Sequence, residues 1–336
     1  MPLPLAPSRR VILLGSDEIA LAAFKAVRSL PDVEIVGVYS QPDRPSGRGQ
    51  EVKSNPVASW ARVEGLALFQ PEKLTPEHAQ ELGRMRIDLG VVMAYGQILK
   101  DDFLAATHLG FVNFHGSILP ALRGATPVEG ALASGFQVTG ISLQQVVRRL
   151  DAGPLHASAE LKIAEGEGRT ALRARLGLLA GELAQSALPR ILSGESRPVA
   201  QDESKVSYTR RLTREDAALD FNASASELVA RIHALEGWPG SAFIHAGLTI
   251  KVGAASAGES DAVSSPGTIL TADRDGVTVA CRRGVLCMTK LQRPTAKMLP
   301  PGEFLAGYPL RIGEVLPSAL MPALVGPIPF SRPPKA

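Results

Sequence analysis

Apolar positions near the start of the chain form a short unbroken run, Val11-Ile12-Leu13-Leu14, closed by Gly15 and followed by a stretch with helical spacing up to Leu30. A short run bounded by a turn signal predicts a buried strand, and recurrence every three to four residues predicts an amphipathic helix. EIVGVYSQ (34–41) supplies a second strand, giving a strand, helix and parallel strand. The segment 41–65 is rich in proline, glycine and charge at first and becomes helical from about Pro56; ALFQPEKL (67–74) then returns toward the sheet. A helix is predicted over Pro76–Met85, a strand over Asp88–Ala94, a turn over 95–99 and another strand at GFVNF (110–114). TPVEGALASG (126–135) has proline near its start and glycine past its end, the asymmetry of a short helix. TGISLQQVV (139–147) and LHASAELKI (155–163) alternate like strands, and a long helix runs from about Arg169 to Leu192. Strands alternating with helices predict an α/β domain on a parallel sheet.

The pattern changes after residue 193. Residues 194–216 are polar and turn-rich and read as a linker. A helix at Ala225–Leu235 follows, ending near Gly237-Trp238-Pro239, and then five short strands: SAFIHAG, LTIKVGAA, GTILTAD, GVTVACR and GVLCMTKLQ. Strands of this length and spacing predict a small OB-like β-barrel. The expected division is therefore 1–193, a linker at 194–216, and 217–336. The proline-rich tail from Tyr308 carries no clear period, and no internal repeat is present.

At 336 residues, 45% hydrophobic and 21% charged, the chain has an ordinary globular composition and enough length for two cores. Its opening lacks the order of a signal peptide and no apolar run approaches a membrane span, so a cytosolic protein is expected. The formal net charge is +3, and residues 209–336, with 14 basic and 11 acidic side chains, carry all of it. That excess is compatible with a polyanionic partner but too small to demand one. Cys281 and Cys287 form a C-x5-C pair with no histidine nearby, which predicts neither a disulfide nor a zinc site. Gly15 stands in L-G-S-D-E without the further glycines of a dinucleotide fingerprint, so it is read as a tight strand-to-helix turn.

The candidate chemistry lies in FVNFHGSILP (111–120) and VVRRLDAGP (146–154). Residues two apart on a strand face the same way, so Asn113 and His115 are expected to point together into a cleft at a strand's C-terminal end. Asp151 arrives from a later loop held open by Gly153 and Pro154. An N-x-H pair also suits a plain hydrogen-bonded turn. An amide, an imidazole and a carboxylate together are, however, the groups acyl transfer needs: an oxyanion donor, a proton acceptor, and a group to orient it.

The surrounding words sharpen this reading. N-F-H-G-S-I-L-P, L-R-G-A-T-P (122–127) and L-D-A-G (150–153) resemble the formyltransferase family that uses 10-formyltetrahydrofolate. Q-P-D-R-P-S-G-R-G (41–49), V-M-A-Y-G-Q-I-L (92–99), S-Y-T-R-R-L (207–212), P-G-T-I-L (266–270) and the appended barrel point to the branch whose acceptor is initiator methionyl-tRNA. The resemblance implies a Rossmann-like catalytic domain, with Asn113, His115 and Asp151 as its catalytic residues. It also implies folate contacts at Ser117, Ile118, Leu119, Pro120, Tyr95 and Ile98. Transfer RNA contacts are implied at Arg44 and Arg48 in the loop after the second strand. On the C-terminal part Lys251, Arg282 and Arg283, with Lys290, Arg293 and Lys297, read either as a tRNA platform or as the surface of a structural cap. No metal, membrane or obligate protein partner is expected, and a monomer is.

Three departures fall around the site. Ala121-Leu122 stands where the family often has an arginine and an aromatic residue. Val146-Val147-Arg148-Arg149 precedes Leu150-Asp151 where the family has M-D-x-G, so an upstream aspartate and a flexible glycine are replaced by Val147 and Arg149. The opening reads G-S-D-E-I rather than G-T-P-x-F. These changes bear on the cofactor rim and on loop mobility. The same chemistry on a small amine, or a silent folate- or RNA-binding relative, remain the alternatives.

Overall fold

The computed structural model describes residues 8–46, 51–259 and 264–330. The chain forms two compact units, one made of Met1–Arg123, Val138–Lys162 and Arg173–Val206, the other of Gly124–Gln137, Ile163–Leu172 and Ser207–Ala336.

The first unit is built on a seven-stranded sheet. Its strands are β1 (Arg9–Gly15), β2 (Val33–Tyr39), β3 (Leu68–Phe69), β4 (Leu89–Met93), β5 (Phe111–His115), β6 (Val138–Gln145) and β7 (Leu155–Lys162). They lie in the order β7-β6-β5-β4-β1-β2-β3. β1 through β5 pair in parallel, and β6 and β7 add an antiparallel margin. Val11, Ile12, Leu13 and Leu14 are all wholly buried, which explains why β1 reads as a continuous apolar run rather than an alternation. The chain moves from β1 outward to β2 and β3, then returns to the other side of β1 for β4 and β5. That reversal opens a crevice beyond the carboxyl ends of β1 and β4, the place where such sheets bind ligands.

Helices α1 (Leu21–Arg28), α2 (Pro56–Val63) and α3 (Pro76–Arg84) link these strands. Gly15 is required by packing: a Cβ there would lie 2.6 Å from the Phe24 ring and 2.8 Å from the Met93 carbonyl oxygen. The expected helix after Gly15 starts as a 3-10 turn, Glu18–Ala20, because Asp17 accepts the Ile19 N–H at 3.1 Å and caps it. Asp17 also pairs with Arg173 at 2.7 Å. The departure at G-S-D-E-I thus supplies a helix cap, worth about 1 kcal/mol in general.

The irregular segment after β2 contains a feature that periodicity did not show, a hairpin pairing Arg44–Ser46 with Glu51–Lys53. Three-residue strands are too short to register as an alternation. The base of the hairpin is tied down by polar contacts. Asn55 donates to the Gln41 carbonyl at 2.9 Å, and Gln70 donates to the same carbonyl at 2.9 Å and to Asp43 at 2.7 Å. Asp43 also accepts from Ser54 and Arg62. The hydrogen bond from Gln70, with those from Ser54 and Arg62, holds the Asp43 carboxyl below its ordinary range against the opposing effect of burial.

The second unit contains α4 (Pro127–Ala133), the first turn of α5 (Arg169–Leu192) and α6 (Ala225–Ala234). Its sheet has strands β8 (Ser241–His245), β9 (Leu248–Gly258), β10 (Ile269–Ala272), β11 (Val277–Ala280) and β12 (Val285–Gln292). They form an antiparallel half-barrel in the order β8-β9-β12-β11-β10, matching the five expected strands. Ile250, Val252, Val277, Val279, Leu286 and Met288 fill its inner face together with Phe221, Leu228 and Ile232. Ser224 and Glu227 form a reciprocal capping box that fixes the start of α6. Both cysteines are free thiols, and no helix among the described residues is long and apolar enough to cross a membrane.

Candidate active site

β5 ends with Asn113 and His115 on one side and Phe114 turned into the core. Across the sheet Asn113 is opposite Gln144 and His115 is opposite Ser142, both on β6. Directly opposed residues share a face, so four polar side chains converge at the carboxyl end of β5.

His115 is buried, and both of its ring nitrogens are engaged. Nε2 lies 2.9 Å from the Leu122 carbonyl oxygen and Nδ1 lies 3.8 Å from Asp151 Oδ2. A carbonyl only accepts, so Nε2 carries a hydrogen and, in the neutral ring, Nδ1 is the basic nitrogen. The Nδ1 to carboxylate distance exceeds that of a direct hydrogen bond, so the carboxylate faces the ring without bonding it directly. Asp151 is positioned in turn by Gln144, which donates from Nε2 to Oδ1 at 2.8 Å. Its backbone takes a left-handed conformation, φ 46°, unusual for a non-glycine residue.

Asn113 is partly exposed, and its side-chain amide makes no hydrogen bond among the described residues. The SILP segment is fixed from β6. Ser142 Oγ accepts the Leu119 N–H at 3.0 Å and donates to the Ser117 carbonyl at 2.8 Å. Ser117 Oγ donates to the Ala121 carbonyl at 2.6 Å, so this buried serine is occupied in shaping the turn. Ile118 and Pro120 remain partly exposed, Leu119 is buried, and Ile98 is 66% exposed. Tyr95 is 2% exposed, its ring inside the core. Burial raises its phenol pKa, with a smaller contribution from Tyr39. Its backbone carbonyl accepts from Gln41 Nε2 at 3.0 Å, which joins the base of the hairpin to the loop after β4.

The departures from the family pattern are all engaged in contacts. Leu122, with φ 60°, provides the carbonyl that holds His115. Arg149 pairs with Glu203, and Arg148 with Asp101 at 3.2 Å.

The cationic residues named from the sequence are carried by different elements. Arg44 is exposed on the hairpin and paired with Glu72; Arg48 falls outside the described residues. On the half-barrel Lys251 is opposite Gln292, two positions from Lys290. With Val252 and Leu291 turned inward, Lys251 and Lys290 share the outer face of the sheet. Arg282 and Arg283 are exposed in the turn between β11 and β12, Lys297 is exposed, and Arg293 is half-buried with its guanidinium on the Gly307 carbonyl at 3.0 Å.

Several residues that matter here escaped the reading of the sequence. Gln144 and Ser142 lay inside an apolar alternation, and only strand pairing puts them beside the site. Gln201 lay in the polar stretch read as a linker. Gly153 has a further role as well: a Cβ there would meet the Gln145 carbonyl oxygen at 1.7 Å. Gly153→Ala must therefore displace the loop carrying Asp151, and kcat is expected to fall at least tenfold in steady-state assays while the fold, followed by circular dichroism, persists.

A parallel-sheet α/β unit with an unspent amide and an imidazole facing a carboxylate at the carboxyl end of β5, together with a small antiparallel β unit, has the make-up of an acyl-group transferase. Residues 9–192 match the family described as Formyl transferase, and residues 211–309 match Formyl transferase, C-terminal domain. The chain belongs to the formyl transferase family. It is 39% identical over 307 residues to the methionyl-tRNA formyltransferase of Myxococcus xanthus, covering 91% of this chain and 97% of that one. To the protein of the same name from Pseudomonas paraeruginosa it is 38% identical over 291 residues, covering 86% and 93%. Among solved structures, the N-formyltransferase from Helicobacter canadensis, in complex with folinic acid and dTDP-3-aminofucose, superposes with a TM-score of 0.62 at 14% identity, covering 84% of this chain and 99% of that one. HypX from Aquifex aeolicus, in complex with tetrahydrofolic acid, gives 0.60 at 16% identity, covering 94% and 51%. At such identities these structures bear on the fold alone.

Proposed function

We propose that this protein transfers the formyl group of 10-formyltetrahydrofolate to the α-amine of methionyl initiator tRNA, as a cytosolic monomer. The observation that carries the reading is the constellation at the end of β5, in a chain that keeps both family domains and matches methionyl-tRNA formyltransferases along nearly their whole length.

The side chains present suit a folate donor. Exposed Ile98 and partly exposed Ile118 and Pro120 offer apolar surface to a flat heteroaromatic ring, and the free Asn113 amide offers a donor to a formyl oxygen. The donor supplies a carbonyl already activated by its nitrogen leaving group. In the transfer, a bond forms between the methionyl nitrogen and the formyl carbon, and the bond from that carbon to the folate nitrogen breaks. Asn113 donates its amide hydrogen to the developing oxyanion. His115 takes the amine proton on Nδ1, with Nε2 held by the Leu122 carbonyl, and the Asp151 carboxylate stabilises the imidazolium formed. That proton is then available to the departing folate nitrogen. Neither cysteine lies near these motifs in the sequence, and Ser117 Oγ is committed to Ala121, which favours direct transfer over a covalent formyl-enzyme.

Arg44 on the hairpin, Arg48, and Lys251, Arg282 and Arg283 with Lys290 on the half-barrel, are assigned to tRNA phosphates. If so, log Kd for the charged tRNA rises steeply with log salt. Filter binding with Lys251→Ala/Lys290→Ala should show a shallower slope by about two, and a flat salt response in the unaltered protein would remove this role.

The reading is tested by following labelled formyl from 10-formyltetrahydrofolate to methionyl initiator tRNA, with free methionine and an amino-sugar nucleotide as competing acceptors. Transfer to the charged tRNA supports it. Transfer only to the sugar nucleotide moves the acceptor to a small amine, and folate binding without any transfer identifies a silent relative.

A further inference from the structure

The loop that carries Asp151 is hydrogen-bonded to the stretch that follows α5. Val199 pairs with Leu155 through reciprocal backbone hydrogen bonds of 2.8 and 2.7 Å, which lays residues 199–203 beside the start of β7. This brings Gln201 under the Asp151 loop. Its Nε2 donates to the Asp151 carbonyl at 2.9 Å and to the Gly153 carbonyl at 2.7 Å. Its Oε1 accepts from Arg123 Nε at 3.1 Å and from a terminal Arg123 nitrogen at 2.7 Å. The amide orientation is therefore unambiguous, since guanidinium hydrogens face one end and carbonyl oxygens face the other.

Arg123 is wholly buried and bonded also to Glu203 at 2.8 Å, which in turn binds Arg149. The residue before it, Leu122, supplies the carbonyl that holds His115 Nε2. The two halves of the pair thus hang from one support: His115 through the Leu122 carbonyl, Asp151 through Arg123 and Gln201. The left-handed backbone at Asp151 is a conformation that surrounding contacts must enforce, and the two Gln201 hydrogen bonds flank that residue.

We propose that Gln201 is a positioning residue for the transfer reaction, holding the Asp151 loop so that the carboxylate stays against His115 Nδ1. The proposal rests on the assignment of His115 and Asp151 to catalysis. Gln201 acts on the reaction through Asp151 and contacts no reacting atom.

Two variants test it. Gln201→Glu keeps an acceptor for Arg123 but puts an oxygen where the Asp151 and Gly153 carbonyls require a donor. Gln201→Ala removes both contacts. Both are expected to lower kcat about tenfold or more with little change in KM for either substrate. In a double-mutant cycle Gln201→Glu should add little once Asp151→Asn is present, because a positioning residue has nothing left to position. Losses that multiply in the double mutant, or unchanged kcat in Gln201→Glu, overturn the proposal. Hydrogen exchange of the peptide spanning 146–154, in the protein without substrates, supplies a readout independent of the acceptor. Faster exchange confined to that peptide in Gln201→Glu is expected, and unchanged exchange removes the tether. Loosened exchange in a protein that formylates no tRNA would leave the tether standing while the proposed function fails.

Discussion

His115→Ala is expected to lower kcat for formyl transfer by about two to four orders of magnitude, the usual contribution of a placed proton acceptor. The ring sits between the Leu122 carbonyl and the Asp151 carboxylate, so its removal takes away the site's basic nitrogen and leaves Asp151 facing an apolar methyl group. KM for folate and for tRNA should change little, because the imidazole is buried and serves the transition state more than the bound ground states. Single-turnover measurement of formyl transfer separates the chemical step from product release. A fall below about fivefold would remove His115 from the proton path.

Asn113→Ala is expected to lower kcat by about a hundredfold to a thousandfold, the cost of losing one oxyanion donor. The two variants should differ in stability. His115 makes a buried hydrogen bond to the Leu122 carbonyl, so its loss costs about 1–3 kcal/mol by leaving that acceptor unpaired. The Asn113 amide has no partner among the described residues, and alanine there should leave the melting temperature unchanged or slightly raised. Activity lost without stability lost is the mark of a side chain kept for a ligand. Thermal denaturation beside single-turnover kinetics checks this, and a drop of several degrees in Asn113→Ala would assign the amide a structural role instead.

The departures from the family pattern concern how the site is held. Arg149, where the family has a flexible glycine, is bound to Glu203 and so joins the support that carries Gln201. Asp17 replaces a proline-containing turn with a capped one. Neither change touches the amide, the imidazole or the carboxylate.

Much of the architecture was legible in the sequence because burial writes itself into local pattern. Leu14 and its neighbours, buried on both faces, left an unbroken run, and the half-barrel strands alternated because one face is solvated. The stretch rich in alanine, leucine and arginine, expected as a helix from about Arg169 to Leu192, forms one over those residues. Asn113 and His115 were legible as a pair because strand geometry alone puts them on one side. What sequence spacing did not determine was everything that depends on which strand lies next to which. That Gln144 opposes Asn113, that Ser142 pins the SILP turn, and that Gln201 reaches Asp151 from 50 residues away are consequences of register and of the Val199–Leu155 bridge. The sequence also left Tyr95 looking available, whereas packing turns its ring into the core. Composition and period determine which residues are buried and in what kind of element; only the tertiary structure decides which polar groups meet, because a hydrogen bond depends on position to within a fraction of an ångström.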